Sequence, residues 1–363
     1  MPYVKPLIII ILVVFSSLVH ADRIVPSERV ESRLIVRDAP GGDRISSLEP
    51  GQSADYIASV PYWYEIRLQS GATGFVSKAW SRVVPDLTTS ETLRLGSWNI
   101  KKLGHGNQKN YPLVAGIIEG HFDILAVVEV MQKQGGHPGY NQLLVTLGSG
   151  WTGIVTDKPR PDTSSGSAEY YAILYRPSII QPCQGWSGLR YHQDNSGGPN
   201  GVGEDRFSRE PAYGCFRTVG STGRFDFMLA AYHARWAEGD IEDIQMEVKH
   251  LNEVFSEMRS ANPTEKDLLI AGDFNLVPLD LDDAINIEVP TLGSGSTLNG
   301  QGERTGNLYD HLVVFDAAET KELIGSAEVI DVRNVATNPR KFFQTVSDHL
   351  PIMAKFRVGT DDD

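Results

Sequence analysis

Basic residues are in short supply in this chain: 33 lysines and arginines stand against 46 aspartates and glutamates, a formal net charge of −13. A protein this acidic does not coat nucleic acid by bulk electrostatic attraction. A polyanionic substrate would have to meet local basic contacts or metal ions. The acidic excess also fits carboxylates that are gathered to hold cations.

Long hydrophobic runs are absent beyond the N-terminus. There, Lys5 precedes an apolar core of about a dozen residues that ends at Ala21, the pattern of a secretory signal peptide. The run is short for a membrane span, which needs roughly 20 apolar residues. We predict that residues 1–21 are cleaved off and that the mature protein is secreted or periplasmic, without stable membrane insertion. The alternative is an uncleaved anchor.

Cysteine is also scarce, since Cys183 and Cys215 are the only two in 363 residues. Two thiols exclude a metal centre built on a cysteine cluster. Both lie in strand-like runs on either side of one long loop, and an exported protein can keep a disulfide. We therefore predict a bond between them, the alternative being two buried free thiols.

The first part of the mature chain, residues 24–84, consists of short strand-like runs separated by turn residues. The alternation over Tyr64, Glu65 and Ile66 has the two-residue period of a half-buried strand. These residues predict a small all-β barrel. The polar, proline-containing segment 85–92 predicts a linker.

The second part, residues 93–358, alternates apolar strands with two helical patterns at 111–120 and 241–260. This order predicts an α/β fold. Residues 359–363 are predicted to be a frayed acidic tail. No internal repeat is present in the sequence.

A short apolar run, "LIAGDFNLVP" at 269–278, ends in two oxygen-bearing side chains, Asp273 and Asn275. Alternate residues of a strand point the same way, so both would project together at the strand end, where open α/β sheets place ligands. Taken alone, the stretch fits a helix N-cap or an Asx turn at least as well. The same pattern recurs elsewhere, however, because polar residues end or interrupt apolar strands at Asn99, Glu129, His233, Asp348 and His349.

Several buried charges of this kind predict one shared site, because each costs several kcal/mol unless it is paired or metal-bound. Carboxylate and amide oxygens suit a hard divalent cation, Mg²⁺ first, with Mn²⁺ or Ca²⁺ as alternatives. Two histidines add proton-transfer capacity near neutral pH. The set therefore indicates metal-assisted hydrolysis, most naturally of a phosphate ester.

The motifs "WNI", "VVEV", "GDFN" and "SDHLP", in this order, resemble the endonuclease/exonuclease/phosphatase superfamily over residues 93–357. The motif "FSREP", with "EYYAILYRP" before it and "LYDHLVV" after it, resembles the deoxyribonuclease I branch. This resemblance implies a four-layered α/β sandwich, with two packed β-sheets flanked by helices. The small barrel would precede it.

The resemblance also implies roles for ten residues. The metal ligands would be Asn99, Glu129, Asp273 and Asp348, with Asn275 among the residues that hold the scissile phosphate. His233 and His349 would be the catalytic histidines, oriented by Glu169 and Asp310 respectively. Arg209 would contact phosphate. A carboxylate behind each imidazole fixes its tautomer and raises its basicity.

Two positions depart from the branch. Met131 stands in place of an arginine that enters the DNA minor groove, and Ser167 in place of a tyrosine that packs on a sugar. The mode of DNA binding is therefore less well defined than the chemistry. Among other polar residues, Lys101 is predicted to reach a phosphate, His105 to lie in a loop, and His311 to lie on the surface.

The order of motifs in residues 24–84 resembles the bacterial Src-homology-3-like domain. That resemblance implies a cell-wall or peptide ligand, with a bare spacer as the alternative. The domain holds none of the candidate ligands, so it should be dispensable for chemistry. A competing hypothesis is that Arg67 and Lys78 contact DNA beside the active site.

The sequence allows three functions for the whole chain. The first is an exported, divalent-metal-dependent endonuclease acting as a monomer on DNA, and on RNA as a further substrate. The second keeps the chemistry but acts on phospholipid head groups or inositol phosphates. The third is a catalytically silent binding module, which the complete set of ligands and histidines disfavours.

Overall fold

The computed structural model describes residues 23–27, 29–84, 92–106, 108–160, 168–194, 206–219, 225–236, 240–359 and 361. The predicted signal peptide, Ser167 and all but the last residue of the predicted linker lie outside these ranges. That last residue, Thr92, begins a strand rather than ending a linker. Within the described ranges, no helix is both long enough and apolar enough to span a bilayer.

Residues 23–84 form an antiparallel sheet of seven strands, in the order β3-β2-β6-β5-β4-β1-β7. Its core is separate and small, and it includes Ile24, Val36, Tyr64 and Ile66. This sheet agrees with the all-β prediction for 24–84. The strands are β1 Arg23–Pro26, β2 Leu34–Arg37, β3 Arg44–Leu48, β4 Ala54–Val60, β5 Trp63–Arg67, β6 Thr73–Ser77 and β7 Ser81–Val84.

The rest of the chain builds two six-stranded sheets. The first runs in the order β10-β11-β9-β8-β19-β18, with β8 and β9 parallel and the other pairs antiparallel. Its strands are β8 Thr92–Leu103, β9 Ile124–Met131, β10 Thr152–Val155, β11 Glu169–Tyr175, β18 Leu323–Val329 and β19 Ile352–Arg357.

The second of these sheets runs in the order β12-β14-β15-β16-β17, with β13 also paired to β14. Only β15 and β16 are parallel among its described pairs. Its strands are β12 Ile180–Pro182, β13 Arg190–Tyr191, β14 Ala212–Thr218, β15 Asp226–His233, β16 Leu268–Asp273 and β17 Asp310–Val314.

The two six-stranded sheets pack face to face over a core that includes Leu95, Tyr171, Leu229 and Leu269. Helices cover both outer faces, so each sheet is buried on two sides. The layers are therefore helix, sheet, sheet, helix, and the predicted four-layered α/β sandwich is confirmed. The helices are α1 Tyr111–His121, α2 Pro138–Leu147, α3 Ile241–Lys249, α4 Leu251–Ala261, α5 Pro278–Ala284 and α6 Pro339–Thr345.

The helix at 111–120 is present as predicted, and the Asn110 side chain caps it by accepting from Leu113 N. The helix predicted over 241–260 is broken at His250 into α3 and α4. Sequence periodicity missed α2, α5 and α6. All three begin with proline in the first turn, where its missing N–H costs nothing.

The N-terminal sheet docks on the α/β part through a buried ion pair. Glu119 of α1 is 2% exposed, and its carboxylate contacts Lys78 Nζ and Ser59 Oγ. The Tyr64 hydroxyl donates to Glu119 Oε1 at 2.8 Å. Burial lowers the pKa of Lys78, and Glu119 acts in the opposite direction. Lys78 is thus buried against protein, and the hypothesis that it contacts DNA is wrong.

Cys183 and Cys215 are bonded to each other, so the predicted disulfide is confirmed. It joins the residue after β12 to the adjacent strand β14 and lies away from the polar strand ends. In the predicted acidic tail, Asp361 accepts a hydrogen bond from Asp226 N at 3.3 Å. That residue is therefore held against β15 instead of fraying.

Candidate active site

The predicted site residues meet at one edge of the sandwich. In one sheet, His233, Asp273 and Asp310 are direct neighbours across β15, β16 and β17. The facing sheet supplies side chains from β8, β9 and β11, namely Asn99, Glu129 and Glu169. Strand register thus brings together residues that lie far apart in the sequence.

Glu129 owes its position to an irregularity in β9. The pairing of β9 with both of its neighbours shifts register around this residue. Glu129 has φ 57°, a left-handed conformation that costs a non-glycine residue about 1–3 kcal/mol. Its N–H donates to Glu169 Oε2 at 2.7 Å, outside the regular strand ladder. The bulge turns a carboxylate out of an apolar strand and towards the site.

Asp273 and Asn275 satisfy both of the interpretations raised by the sequence. Asn275 N donates to Asp273 Oδ1 at 3.1 Å, which closes an Asx turn, and Asn275 has φ 51°. The other carboxylate oxygen, Asp273 Oδ2, accepts from Asn99 Nδ2 at 3.0 Å. One oxygen therefore fixes the turn while the other faces the site.

Asn99 lies between two carboxylates. Its Nδ2 donates to Glu129 Oε1 and to Asp273 Oδ2, each at 3.0 Å. Its Oδ1 accepts from Lys101 N at 3.0 Å, which fixes the amide orientation. Because one amide nitrogen bridges both acids, their oxygens converge on a small, largely buried volume.

The His349 imidazole is backed by Asp310, which is fully buried. His349 Nδ1 lies 2.7 Å from Asp310 Oδ2. Burial opposes protonation of this ring, but Asp310 and Asp273 outweigh it and raise the pKa of His349 to about 10. His349 therefore carries a proton at neutral pH, with Nε2 directed away from Asp310.

The His233 imidazole is arranged in the same way. Its Nδ1 lies 2.9 Å from Glu169 Oε1. Burial and Arg209 both oppose protonation, while Glu169 and Asp273 favour it, and the net effect raises the pKa of His233.

Both histidines point at the same atom. His233 Nε2 lies 3.7 Å and His349 Nε2 3.6 Å from Asp273 Oδ2. Two imidazoles with buried carboxylates behind them thus flank one acidic oxygen. This arrangement can place a proton acceptor and a proton donor on either side of a bound phosphate.

Arg209 holds protein groups of the site, and the phosphate contact that the resemblance implies stays a prediction. Its Nε lies 3.0 Å from Glu169 Oε1 and donates to His233 O at 3.1 Å. A terminal nitrogen donates to Ala234 O at 2.6 Å. We therefore assign Arg209 to positioning Glu169 and the end of β15.

Asp348 joins the site through a lysine. Lys101 Nζ lies 2.9 Å from Asp348 Oδ2 and over the ring of Phe343. The other oxygen, Asp348 Oδ1, is buried without a hydrogen-bond partner. Lys101 is thus paired with Asp348 beside the site, and its contact with a phosphate stays a prediction.

Within the described ranges, one group of acids and histidines could converge on a metal ion. It consists of Asp273, Asp310 and His349, and one ligand atom from each lies within 4.8 Å of the others. This group shares only Asp273 with the predicted ligand set. However, the Asp310 oxygen that faces His349 is occupied by the imidazole Nδ1. We therefore interpret Asp310 and His349 as a proton-transfer pair.

Two supporting residues were not predicted from the sequence. Lys109 Nζ donates to three backbone carbonyls, those of Ile100, Lys101 and Val346. Burial lowers its pKa to about 8. Ser347, next to Asp348, donates from Oγ to the carbonyl of Asn99 at 2.6 Å. The quoted motif contained Ser347, whereas nothing local in the sequence marks Lys109.

The structure confirms the predicted location of His105 and contradicts that of His311. His105 lies in a loop, as predicted, with Nε2 3.0 Å from Gln132 O. The prediction that His311 lies on the surface is wrong, because it is 1% exposed and its Nε2 donates to Leu276 O at 2.9 Å. Burial lowers the pKa of His311 to about 4, so the ring stays neutral.

The chain is similar to a deoxyribonuclease of Thioalkalivibrio sp. (strain K90mix), with 29% identity over 279 residues, which cover 74% of this chain and 72% of the relative. No family model matches the sequence.

Two solved structures share the fold. An endonuclease/exonuclease/phosphatase family protein from Bacteroides thetaiotaomicron aligns with a TM-score of 0.51 and 18% identity, over 75% of this chain and 98% of the other. A mannosyl-6-phosphatase of the same organism aligns with a TM-score of 0.50 and 18% identity, over 72% and 98%. The chain thus has the fold of the endonuclease/exonuclease/phosphatase superfamily and a deoxyribonuclease among its homologues.

Proposed function

We propose that this protein is a divalent-metal-dependent phosphodiesterase that hydrolyses DNA. The observation that carries the proposal is the convergence of two carboxylate-backed imidazoles on Asp273 Oδ2, at 3.7 and 3.6 Å. The fold is shared with phosphoester hydrolases, and a homologue is a deoxyribonuclease. RNA is a further candidate substrate.

The two histidines divide the proton chemistry between them. His349, with a pKa of about 10, keeps its proton and serves as the general acid for the leaving oxygen. His233 accepts a proton from the attacking water through Nε2, which faces Asp273 while Nδ1 is held by Glu169. Glu169 and Asp310 hold the two rings by their Nδ1 atoms.

The residues of the site fit a divalent cation. Glu129 and Asp273 converge on Asn99, and Asp348 Oδ1 is a buried acceptor without a partner. We assign the cation to the carboxylates of Glu129, Asp273 and Asp348, an oxygen set that suits Mg²⁺ and also Mn²⁺ or Ca²⁺. Asn99 presents its amide NH2 group to Glu129 and Asp273, and in this orientation it holds the two acids together. Bound there, it would neutralise charge on the phosphate and polarise the bond to be broken.

Chelation should abolish DNA cleavage. Purified protein is expected to nick and linearise plasmid in Mg²⁺, to lose this activity in EDTA, and to regain it when Mg²⁺ is added in excess, because carboxylates alone would repel the substrate phosphate. The readout is the gel-resolved rate of loss of supercoiled plasmid.

The same protein is also incubated with phosphatidylcholine or sphingomyelin vesicles and with inositol phosphates. Release of head groups or phosphate without plasmid cleavage would favour the alternative substrate class. Absence of turnover on every substrate in Mg²⁺, Mn²⁺ and Ca²⁺ would contradict an enzymatic role and favour a binding module.

We further propose that the protein is exported and acts as a monomer. The basic, apolar and small-residue pattern of residues 1–21 supports export. The likeness of residues 24–84 to wall-binding barrels supports a cell-wall or peptide ligand for the N-terminal sheet.

A further inference from the structure

A large aromatic side chain is exposed beside the active site. Trp236, three residues after His233, has 62% of its surface exposed to solvent. Its ring centroid lies 6.1 Å from that of Tyr309, at a tilt of 58°. Tyr309 directly precedes Asp310, the partner of His349. The pair therefore borders the two strands that carry the proton-transfer groups.

The backbone that leads to Trp236 is anchored on both sides. The carbonyl of Ala234 accepts from Arg209 and from Asn275 Nδ2, the latter at 3.0 Å. Arg235 then forms ion pairs of 2.7 Å with Asp243 and with Glu247 of α3. These contacts fix the segment up to residue 235, so the exposed indole is presented from a rigid base.

Tyr309 is held equally well. Its carbonyl accepts from Phe274 N at 2.8 Å, and its N–H is donated to Ser296 Oγ at 3.0 Å. Burial raises the pKa of its hydroxyl, and Asp273 adds to this effect. The ring is therefore close enough to Asp273 to sense its charge.

We propose that Trp236 and Tyr309 form a subsite on which an unpaired base next to the scissile phosphate stacks, so that the preferred substrate is single-stranded or frayed DNA. This inference rests on the proposed function and specifies its substrate. Aromatic platforms bind single strands because every base has a π-face, and each base stacked contributes about 1–3 kcal/mol. In a duplex the faces are already stacked and unavailable.

The identity and the burial of Met131 agree with this subsite. It replaces an arginine that would enter a minor groove, and it is only 5% exposed. Its side chain therefore cannot project from the protein into a groove. With this duplex contact missing, an aromatic platform gives the site another means of positioning a strand.

The test compares three substrates: a single-stranded oligonucleotide, its duplex, and a strand of abasic tetrahydrofuran residues, which has the same phosphodiester bonds but no base. Trp236→Ala should lower kcat/KM on the single strand roughly 5- to 150-fold, the range that follows from losing one stacked base. Activity on the abasic strand should be unchanged, and Trp236→Phe should recover most of the loss. Trp80→Ala is the matched control, since Trp80 is 51% exposed on the remote N-terminal sheet.

Binding gives a readout that does not depend on catalysis. The His349→Ala protein should bind a fluorescent single strand in an anisotropy titration, and addition of Trp236→Ala should weaken that binding by a similar factor. Equal loss on the abasic strand, unchanged binding, or an equal loss on the duplex would each overturn the subsite. If the wild type cleaves no nucleic acid but the binding difference persists, the proposed function fails and the stacking subsite stands.

Discussion

Replacing His349 with alanine is expected to reduce the rate of plasmid cleavage at least about 100-fold, the scale of losing a general acid or base. The side chain is paired to Asp310 at 2.7 Å, holds its proton at neutral pH, and directs Nε2 at Asp273. Losing it removes the proton donor for the leaving oxygen. The effect should appear in kcat, because substrate binding depends mainly on other groups.

Two variants sharpen this prediction. Asp310→Asn should lower kcat while keeping the His349 ring in place, and it should move the basic limb of the pH–rate profile downward, because the carboxylate raises the pKa. His250→Ala is the matched control, because His250 pairs with Glu253 on the outer helices. A His349→Ala protein that cleaves plasmid at a near-normal rate would rule out the acid role.

The second large effect concerns stability. Lys78→Ala is expected to lower the free energy of unfolding by about 3–5 kcal/mol, the cost of leaving one member of a buried ion pair unpaired. Glu119 is 2% exposed and would lose its cationic partner while keeping the hydroxyl of Tyr64. Urea denaturation followed by fluorescence measures the change.

The matched comparison is the double variant Lys78→Met, Glu119→Leu, which removes both charges. It should be markedly more stable than Lys78→Ala, since apolar replacements of a buried pair are often neutral or stabilising. Cleavage by folded protein should be unaffected in both. Glu119 lies in α1, before β9 begins at Ile124, whereas Glu129 lies five residues along that strand, roughly 17 Å from its first residue. A double variant as unstable as Lys78→Ala would show that the ion pair is not the cause.

This interface changes the interpretation of the N-terminal sheet. The proline-containing segment 85–92 predicted a linker, and the lack of candidate ligands in the sheet predicted that it is dispensable for chemistry. Removing residues 23–84 would uncover Glu119 and the Lys78 contact surface, so a shortened protein would lose stability although its candidate ligands remain. Burial of a charge between two domains has no local sequence signature.

The polar strand ends could be identified from the sequence. Burying a charged or amide side chain inside an apolar strand costs free energy unless the side chain is hydrogen-bonded, paired or bound to a metal ion. Asn99, Glu129, Asp273 and the two histidines were all found in this way. The left-handed φ of Glu129 could not be predicted, since it arises from register shifts against two other strands.

The errors have physical causes that depend on tertiary structure. His311 is buried because β17 is an inner-layer strand, although its neighbour Asp310 is part of the site. Arg209 also has a structural role that the sequence did not predict, because its guanidinium contacts three protein oxygens that lie together only after β11 and β15 are in place. Each outcome depends on a neighbouring strand and not on the local motif.

His233, His349 and Asn99 all face Asp273 Oδ2. The variant Asp273→Asn therefore tests the assignment of the site most directly. Asparagine keeps an Oδ1 acceptor for Asn275 N, so the Asx turn and the fold should persist. The measurement is the rate of plasmid cleavage in Mg²⁺, with the melting temperature recorded on the same sample. We predict a folded protein whose cleavage is at least about 100-fold slower. A folded Asp273→Asn protein that cleaves plasmid at close to the wild-type rate would contradict the assignment of this site.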